Sequence, residues 1–80
     1  MNLPIIDTHL HIWDINQLNY PWLAQVPSLN RIFDIKDYRA ATKNFNIEKM
    51  VFVQCEVDVS QYREEVDFVS AVARNDEPRI

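Results

Sequence analysis

The sequence predicts an α/β fold, namely the two N-terminal βα units of a (β/α)8 barrel. Two apolar strand patterns alternate with two amphipathic helix patterns over 80 residues, which is typical of a parallel sheet. Both strand patterns become polar toward their carboxyl ends, where parallel α/β folds build their sites. A parallel sheet is covered on both faces, and two βα units cannot supply that cover. We therefore interpret residues 1–80 as the N-terminal part of a single barrel domain of about 250 residues.

The first strand is expected from Leu3 to about Ile12. Side chains alternate between the faces of a strand, so its even and odd positions are separated. The even face is mostly apolar and is expected beneath helices: Ile6, Thr8, Leu10 and Ile12. The odd face becomes polar at its carboxyl end: Ile5, Asp7, His9, His11 and Trp13.

Asp14 to Asp34 predict a long loop, and its aromatic and leucine side chains indicate that it is packed down. A helix capped by Asp34 follows over about 35–44. A second strand, with both faces covered, is expected at 50–53 and continues into polar residues 54–56. Its face beneath the helices is expected at Val51, Val53 and Cys55. A second helix begins near Asp58 or Ser60 and runs to about Arg74, with its apolar stripe at Tyr62, Val66, Val69 and Val72 or Ala73. Residues 79–80 are interpreted as the start of a third strand.

Composition restricts the class of function. The net charge of −4 disfavours nucleic acid and anionic membranes as partners, and the absence of glycine excludes glycine-dependent phosphate loops. The first seven residues lack the basic region of a signal peptide, and no window reaches the ~20 apolar residues of a membrane span. A single cysteine, Cys55, cannot form an internal disulfide. We predict a cytoplasmic protein that acts on a small molecule. The composition is compatible with either a monomer or a homo-oligomer.

His9 and His11 are the main candidates for chemistry. Two residues apart on a strand, they project from one face with Cα atoms roughly 6.5 Å apart. That separation allows both imidazoles to bind one metal ion, to hold one substrate group or to orient one water. Two ordinary histidines are the alternative, although the carboxyl end of an apolar strand favours function. Asp7 either fixes a histidine tautomer or caps neighbouring backbone, and we favour the structural role.

Other side chains are candidates for substrate binding. Gln54, on the predicted face of Met50 and Phe52, either donates to a substrate oxygen or simply meets solvent where the strand ends. Trp13 and Trp22 either line a pocket or anchor the loop. Cys55 is interpreted as a core residue because no nearby positive charge lowers its pKa. The acids of the second helix are interpreted as a solvated face: Glu56, Asp58, Glu64, Glu65 and Asp67.

Several segments resemble a known family. Ile5–His11 is similar to the first strand of the amidohydrolase superfamily, which ends in a His-x-His pair. His11–Asp14 followed by Leu18–Leu23 resembles the amidohydrolase-related branch that contains sugar-lactone hydrolases. Val51–Gln54 and Glu65–Val69 resemble the second strand and the following helix of that branch. The resemblance spans most of the 80 residues.

The resemblance implies a distorted (β/α)8 barrel with its site at the carboxyl ends of the strands. His9 and His11 would correspond to the pair that in most members binds a divalent metal, often zinc, whereas some lactonases of this branch use these histidines to bind substrate without a metal. The remaining ligands and an aspartate general base come from later strands.

The expected function is a hydrolase that directs water onto the carbonyl of a cyclic ester, a sugar-acid lactone, with the 80-residue piece inactive alone. The alternatives are a decarboxylase or amide hydrolase of the same superfamily, or a non-catalytic βαβα module that binds a partner through its uncovered sheet.

Overall fold

The computed structural model describes residues 3–80. Met1 and Asn2, which belong to the predicted domain and to the segment in which no signal peptide was expected, lie outside the described residues. The chain forms four main elements: β1 (Pro4–Leu10), α1 (Ile35–Ala41), β2 (Asn46–Phe52) and α2 (Tyr62–Asn75). β1 and β2 pair in parallel. The two predicted βα units are therefore confirmed, although β2 begins upstream of the predicted Met50.

Each strand carries one extra residue relative to its partner. Ile5 pairs with Ile47 and Ile6 with Lys49, so β2 has an additional residue at that point. Farther along, Asp7 pairs with Met50 and Leu10 with Phe52, so β1 has an additional residue at that point. An extra residue shifts all following side chains to the opposite face. The simple alternation assumed for both strands therefore fails at these two points.

The predicted covered face of β1 is wrong in the first half of the strand. Ile6 is 61% exposed, whereas Asp7 reaches the helix layer and accepts a hydrogen bond from the Tyr38 hydroxyl of α1 at 2.7 Å. Beyond the irregularity, Leu10 and Ile12 are buried, as predicted. The covered face therefore changes from odd to even positions between Asp7 and Leu10.

The alternation predicted for β2 is also reversed. Met50 is buried in the core beside α1, whereas Val51 is half exposed. β2 ends at Phe52, and Val53 to Asp58 follow in irregular backbone. Gln54 therefore lies beyond the strand rather than on a continuation of it.

The long loop is packed against the rest of the chain, as predicted. Tyr20 and Leu23 are buried, and two short 3₁₀ helices, Pro21–Gln25 and Pro27–Leu29, give it local structure. The backbones of Trp13 and Phe33 exchange two hydrogen bonds, of 2.7 and 3.0 Å, and so join the two ends of the loop.

The predicted cap is confirmed for α1 but not for α2, which begins at Tyr62 after Gln61, a residue without a side-chain cap bond. Asp34 accepts from the backbone of Lys36 and Asp37, and the Asp37 carboxylate accepts from the Asp34 N–H, which completes a capping box. Asp58 accepts from Ser60 at 3.0 Å and starts a 3₁₀ turn, Val59–Gln61, that leads into α2. α1 ends at Ala41, before the predicted Asn44.

The buried face of α2 is rotated from the predicted stripe. Tyr62 and Val66 are 54% and 63% exposed, whereas Glu65 is only 4% exposed. The interpretation of Glu65 as a solvated acid is therefore wrong. The side chains of α2 that are buried or pack on the core follow the spacing of one helix face: Glu65, Phe68, Val69 and Val72.

The core consists of two clusters of buried residues joined by Phe52 and Phe68. One lies between the sheet and the helices: Leu10, Ile12, Ile35, Ile47 and Met50. The other lies beneath the long loop: Leu18, Tyr20, Leu23, Cys55 and Val57. The second cluster fixes the loop against the segment that follows β2, and the candidate site lies between these two segments.

The chain returns to β2 after α2. The Met50 N–H donates to the Arg79 carbonyl at 2.8 Å, so residue 79 lies beside β2, although no third strand forms within residues 3–80. Neither helix in this range is long and apolar enough to cross a membrane.

Candidate functional site

His11 lies immediately after β1, with its side chain exposed. Its Nδ1 atom is 3.0 Å from the carbonyl oxygen of Val53, just past the end of β2. A carbonyl oxygen only accepts hydrogen bonds, so this contact requires the proton on Nδ1. In the neutral ring, Nε2 then carries a free lone pair. That lone pair can bind a metal ion or accept a proton.

His9 has different surroundings. Its backbone N–H donates to Asp7 Oδ1 at 2.9 Å, inside the irregular part of β1, and its Nδ1 lies 3.4 Å from the Thr8 hydroxyl oxygen. The His9 backbone bond and then the Tyr38 hydroxyl hold the pKa of Asp7 below its usual value. Asp7 therefore caps neighbouring backbone, the structural role that we favoured. The His9 side chain is exposed, like that of His11.

A cleft of about 300 Å³ lies beside His11, between the start of the long loop and the segment after β2. The residues that line it come from only these two segments of the chain: His11, Trp13, Trp22, Gln54, Cys55 and Glu56. Four of the five predicted site residues thus meet in one cleft, and His9 is outside this lining. Aromatic walls with few polar groups are typical of small-molecule sites.

The two tryptophans are fixed as a pair. Their rings lie 5.7 Å apart at 74°, an edge-to-face arrangement. The Trp22 indole N–H donates to the Cys55 carbonyl at 2.7 Å, and the Trp13 indole N–H donates to the Arg31 carbonyl at 2.9 Å. Because both polar atoms are bound to backbone, the rings offer the cleft mainly apolar surface. The tryptophans both anchor the loop and line the cleft.

Gln54 and Glu56 form a closed hydrogen-bonded unit. The Gln54 side chain donates to the Glu56 carboxylate and accepts from the Glu56 N–H, each at 2.7 Å. Glu56 has φ 56°, in the left-handed region that costs a side chain with Cβ some strain. One hydrogen of the Gln54 amide is not used within this unit. Gln54 is held at the cleft by this turn.

Cys55 lines the cleft but is itself buried, as predicted for a core residue, and it is bound from several sides. Burial, and then the charge of Glu65, raises the pKa of its thiol to about 12. The Cys55 N–H donates to Glu65 Oε2 at 2.9 Å. Sequence reasoning missed Glu65, and its three- and four-residue spacing from Phe68 and Val69 is the signal that would have found it.

A second hollow, of about 520 Å³, lies on the α1 side of His11. Its charged groups are engaged with one another, because Arg31 lies 3.7 Å from Asp37 and 3.5 Å above the Phe33 ring. The tryptophan cleft brings together four of the five predicted site residues, whereas the hollow contains only His11 among them. We therefore take the cleft as the candidate site.

The donor set within residues 3–80 does not complete a metal centre. In this range no group of three or more His, Cys, Asp or Glu side chains is placed to hold an ion. Catalytic zinc takes three protein ligands, and His9 and His11 would supply two. A complete site would need ligands from elsewhere.

The chain is similar to known proteins that are longer than itself. No protein-family model matches the chain. The chain is 30% identical over 81 residues to an uncharacterized protein, y4mH, of Sinorhizobium fredii (strain NBRC 101917 / NGR234), which covers 90% of this chain and 27% of that protein. It is also similar to the solved structure of amidohydrolase 2 from Bifidobacterium longum subsp. infantis, with a TM-score of 0.73 and 30% identity over 99% of this chain and 30% of that chain.

The solved structure supports a relationship to the amidohydrolase superfamily, as the His-x-His strand implies. It does not distinguish the lactonase-like branch from the others. The chain spans less than a third of the length of either relative.

Proposed function

We propose that residues 1–80 are the N-terminal part of an amidohydrolase-type barrel that hydrolyses a cyclic ester, a sugar-acid lactone. The observation that carries the proposal is the cleft of about 300 Å³, where His11 lies beside two tryptophans and Gln54. The similarity to amidohydrolase 2 supports the broader assignment to a hydrolase of that superfamily. The lactone substrate is inferred from the resemblance of the loop around Trp22 to the branch that contains sugar-lactone hydrolases.

The tautomer of His11 decides which chemical roles this ring can take. With its Nδ1 proton on the Val53 carbonyl, the neutral ring offers a lone pair at Nε2 and no proton there. Neutral His11 can therefore bind a divalent ion or accept a proton from water. Polarising a substrate carbonyl, the other role predicted for it, requires the imidazolium form. We propose that His9 and His11 together bind a divalent metal ion, and zinc is the ion to test first.

The other residues of the cleft would bind and orient the substrate. Edge-to-face tryptophans give a rigid apolar wall against which a flat lactone ring can lie. The free amide hydrogen of Gln54 would donate to a ring hydroxyl or carbonyl oxygen. Water attacks the carbonyl carbon, the ring C–O bond breaks, and the released alkoxide takes up a proton. The general base is assigned to an aspartate of a later strand, by resemblance.

Exposed apolar surface supports a larger domain. Ile6 and Val51 of the sheet are 61% and 52% exposed, and Val66 of α2 is 63% exposed. In a barrel, further strands and helices would cover such positions. We propose that this cover comes from later βα units of the same barrel. This arrangement makes an 80-residue piece inactive by itself.

The test is a pH-indicator screen of the full-length protein against aldonolactones, run with added Zn²⁺ and with a chelator. We expect hydrolysis, and we expect His11→Asn to lower kcat/KM by about 100-fold or more. Asparagine keeps a side-chain N–H for the Val53 carbonyl but removes Nε2. If His9 and His11 hold a catalytic metal, chelation lowers the rate.

Matched variants separate a site from a merely structural cleft. Trp22→Phe should raise KM, whereas Tyr62→Phe, at an exposed position of α2, should leave the kinetics unchanged. Unaltered hydrolysis in both His9→Ala and His11→Asn would refute the roles assigned to the histidines. Activity on amides or carboxylic acids, with none on lactones, would replace the lactone by the alternative reactions. A protein that binds a partner and turns over none of these compounds would favour the non-catalytic module.

A further inference from the structure

Glu65 is a buried carboxylate that the proposed reaction does not use. It lies on α2 with 4% of its surface exposed, outside the lining of the tryptophan cleft. Burying a carboxylate is costly, so a position that serves only packing would favour an apolar side chain. Glu65 Oε2 instead accepts the Cys55 N–H at 2.9 Å. This N–H lies in irregular backbone after β2, without a ladder partner, and the carboxylate is the acceptor that it needs.

Cys55 transmits this contact to two walls of the cleft. Its carbonyl accepts the Trp22 indole N–H at 2.7 Å. Its thiol sulfur lies 3.5 Å from Nδ1 of His11. One residue therefore touches α2 through its N–H, the loop tryptophan through its carbonyl and the histidine through its side chain.

We propose that Glu65 is a positioning residue, which fixes the backbone of Cys55 and through this residue sets the place of Trp22 and His11 in the cleft. The inference deepens the proposed function and rests on it for its catalytic consequence. Glu65 touches neither substrate nor reacting atoms. It acts by holding the segment between β2 and α2 in the one conformation that completes the cleft.

The test compares two substitutions of Glu65 with the same substitutions at Glu64, its exposed neighbour on α2. Glu65→Leu removes the acceptor, whereas Glu65→Gln keeps a neutral one. Glu64→Leu and Glu64→Gln make the same changes on the solvent face. All four are made in the full-length protein, and NMR records the Trp22 indole N–H, assigned with Trp22→Phe, and the His11 ring nitrogens.

We expect Glu65→Leu to shift the Trp22 and His11 signals and to lower kcat/KM for the lactone by about 10- to 100-fold. Glu65→Gln should shift the same signals less and restore most of the activity. If Glu65→Leu does not fold, the Glu65→Gln spectra decide, since a weaker acceptor at Cys55 must still move the Trp22 signal. In a Trp22→Phe background, Glu65→Leu should cost less than in the wild type, because Glu65 and Trp22 both bind the backbone of Cys55.

Unchanged Trp22 and His11 signals in a folded Glu65 variant would overturn the inference. Equal losses in Glu65→Leu and Glu64→Leu would do the same, because the effect would then belong to the helix. A wild type without lactone hydrolysis would overturn the proposed function alone, since the NMR comparison tests the positioning role without substrate.

Discussion

Replacing Glu77 should lower the free energy of unfolding by breaking one buried contact between its carboxylate and two arginines. It follows α2 and is only 3% exposed. Its Oε1 accepts from Arg39 of α1 at 3.0 Å, and its Oε2 accepts from Arg79 at 2.7 Å. Arg79 also donates to the Ile47 carbonyl of β2 at 2.8 Å. The carboxylate thus ties both helices to β2.

The expected loss of stability depends on how deeply the Glu77 carboxylate and the two arginines are buried. Removing one member of a buried ion pair costs about 3–5 kcal/mol when the other charge stays buried. The side chains of Arg39 and Arg79 are 39% and 35% exposed, so water can solvate them after the loss. We therefore expect Glu77→Gln to lower the free energy of unfolding by about 1–3 kcal/mol.

The same contact predicts a pH dependence. The hydrogen bonds from Arg79, with further help from Arg39, lower the pKa of Glu77 from 4.5 to about 2. A carboxylate with a depressed folded-state pKa stabilises the fold fully above its unfolded value. This contribution is lost as the pH falls from about 4.5 toward 2. Glu77→Gln should therefore destabilise the protein at pH 7 and have little effect near pH 2.

Urea unfolding of the full-length protein at several pH values measures both effects. Asp76→Asn is the control, because the side chain of Asp76 is 54% exposed and lies 3.7 Å from Arg39. It should change the free energy of unfolding by less than about 1 kcal/mol. Equal stability of wild type and Glu77→Gln at pH 7, or parallel pH profiles, would refute the reasoning.

Three further predictions follow from burial and hydrogen bonding. Cys55, with its thiol pKa raised to about 12, should react with iodoacetamide at pH 8 far more slowly in the folded than in the urea-unfolded protein. Equal rates would show that the thiol is accessible. Leu10→Ala should cost about 2–5 kcal/mol in urea unfolding, and Phe45→Ala, at a position 59% exposed, less than about 1 kcal/mol. A reversed order would contradict the assigned core. Tyr38→Phe, which removes the hydroxyl bound to Asp7, should cost about 1–3 kcal/mol in the same assay, and a neutral result would mean that water replaces this bond.

The order of elements could be predicted because it depends on local patterns. Asp34 was identified as a cap from its side chain alone, and it forms the capping box. The loop was expected to pack because its aromatic side chains gain free energy from burial, and Tyr20 is buried. Trp13 and Trp22 were candidates to line a pocket or to anchor the loop, and both line the cleft with His11. Gln54 also lines it, although the strand alternation from which its place was inferred does not hold.

The faces of the strands and of α2 could not be predicted in the same way. An extra residue in a strand cannot be recognised from a run of apolar residues, yet it moves every following side chain to the opposite face of the sheet. Val51 was expected beneath helices and is exposed for this reason. On α2, the apolar residues Tyr62 and Val66 defined a regular stripe, whereas the fold buries Glu65 to satisfy a backbone N–H. The spacing of Glu65 from Phe68 and Val69 places it on their helix face, but no local pattern names the Cys55 N–H as its partner.

The irregularity in β1 is itself what exposes the histidines. Asp7 faces the helix layer, where it binds Tyr38. In a regular strand, His9 and His11 would share the face of Asp7 and would lie beneath α1. The extra residue between Asp7 and Leu10 places Leu10 in the core and leaves both imidazoles exposed. Asp7 also accepts the His9 N–H inside this irregularity. Its carboxylate therefore serves the site by holding the backbone that presents the two rings, and not by contact with their nitrogens.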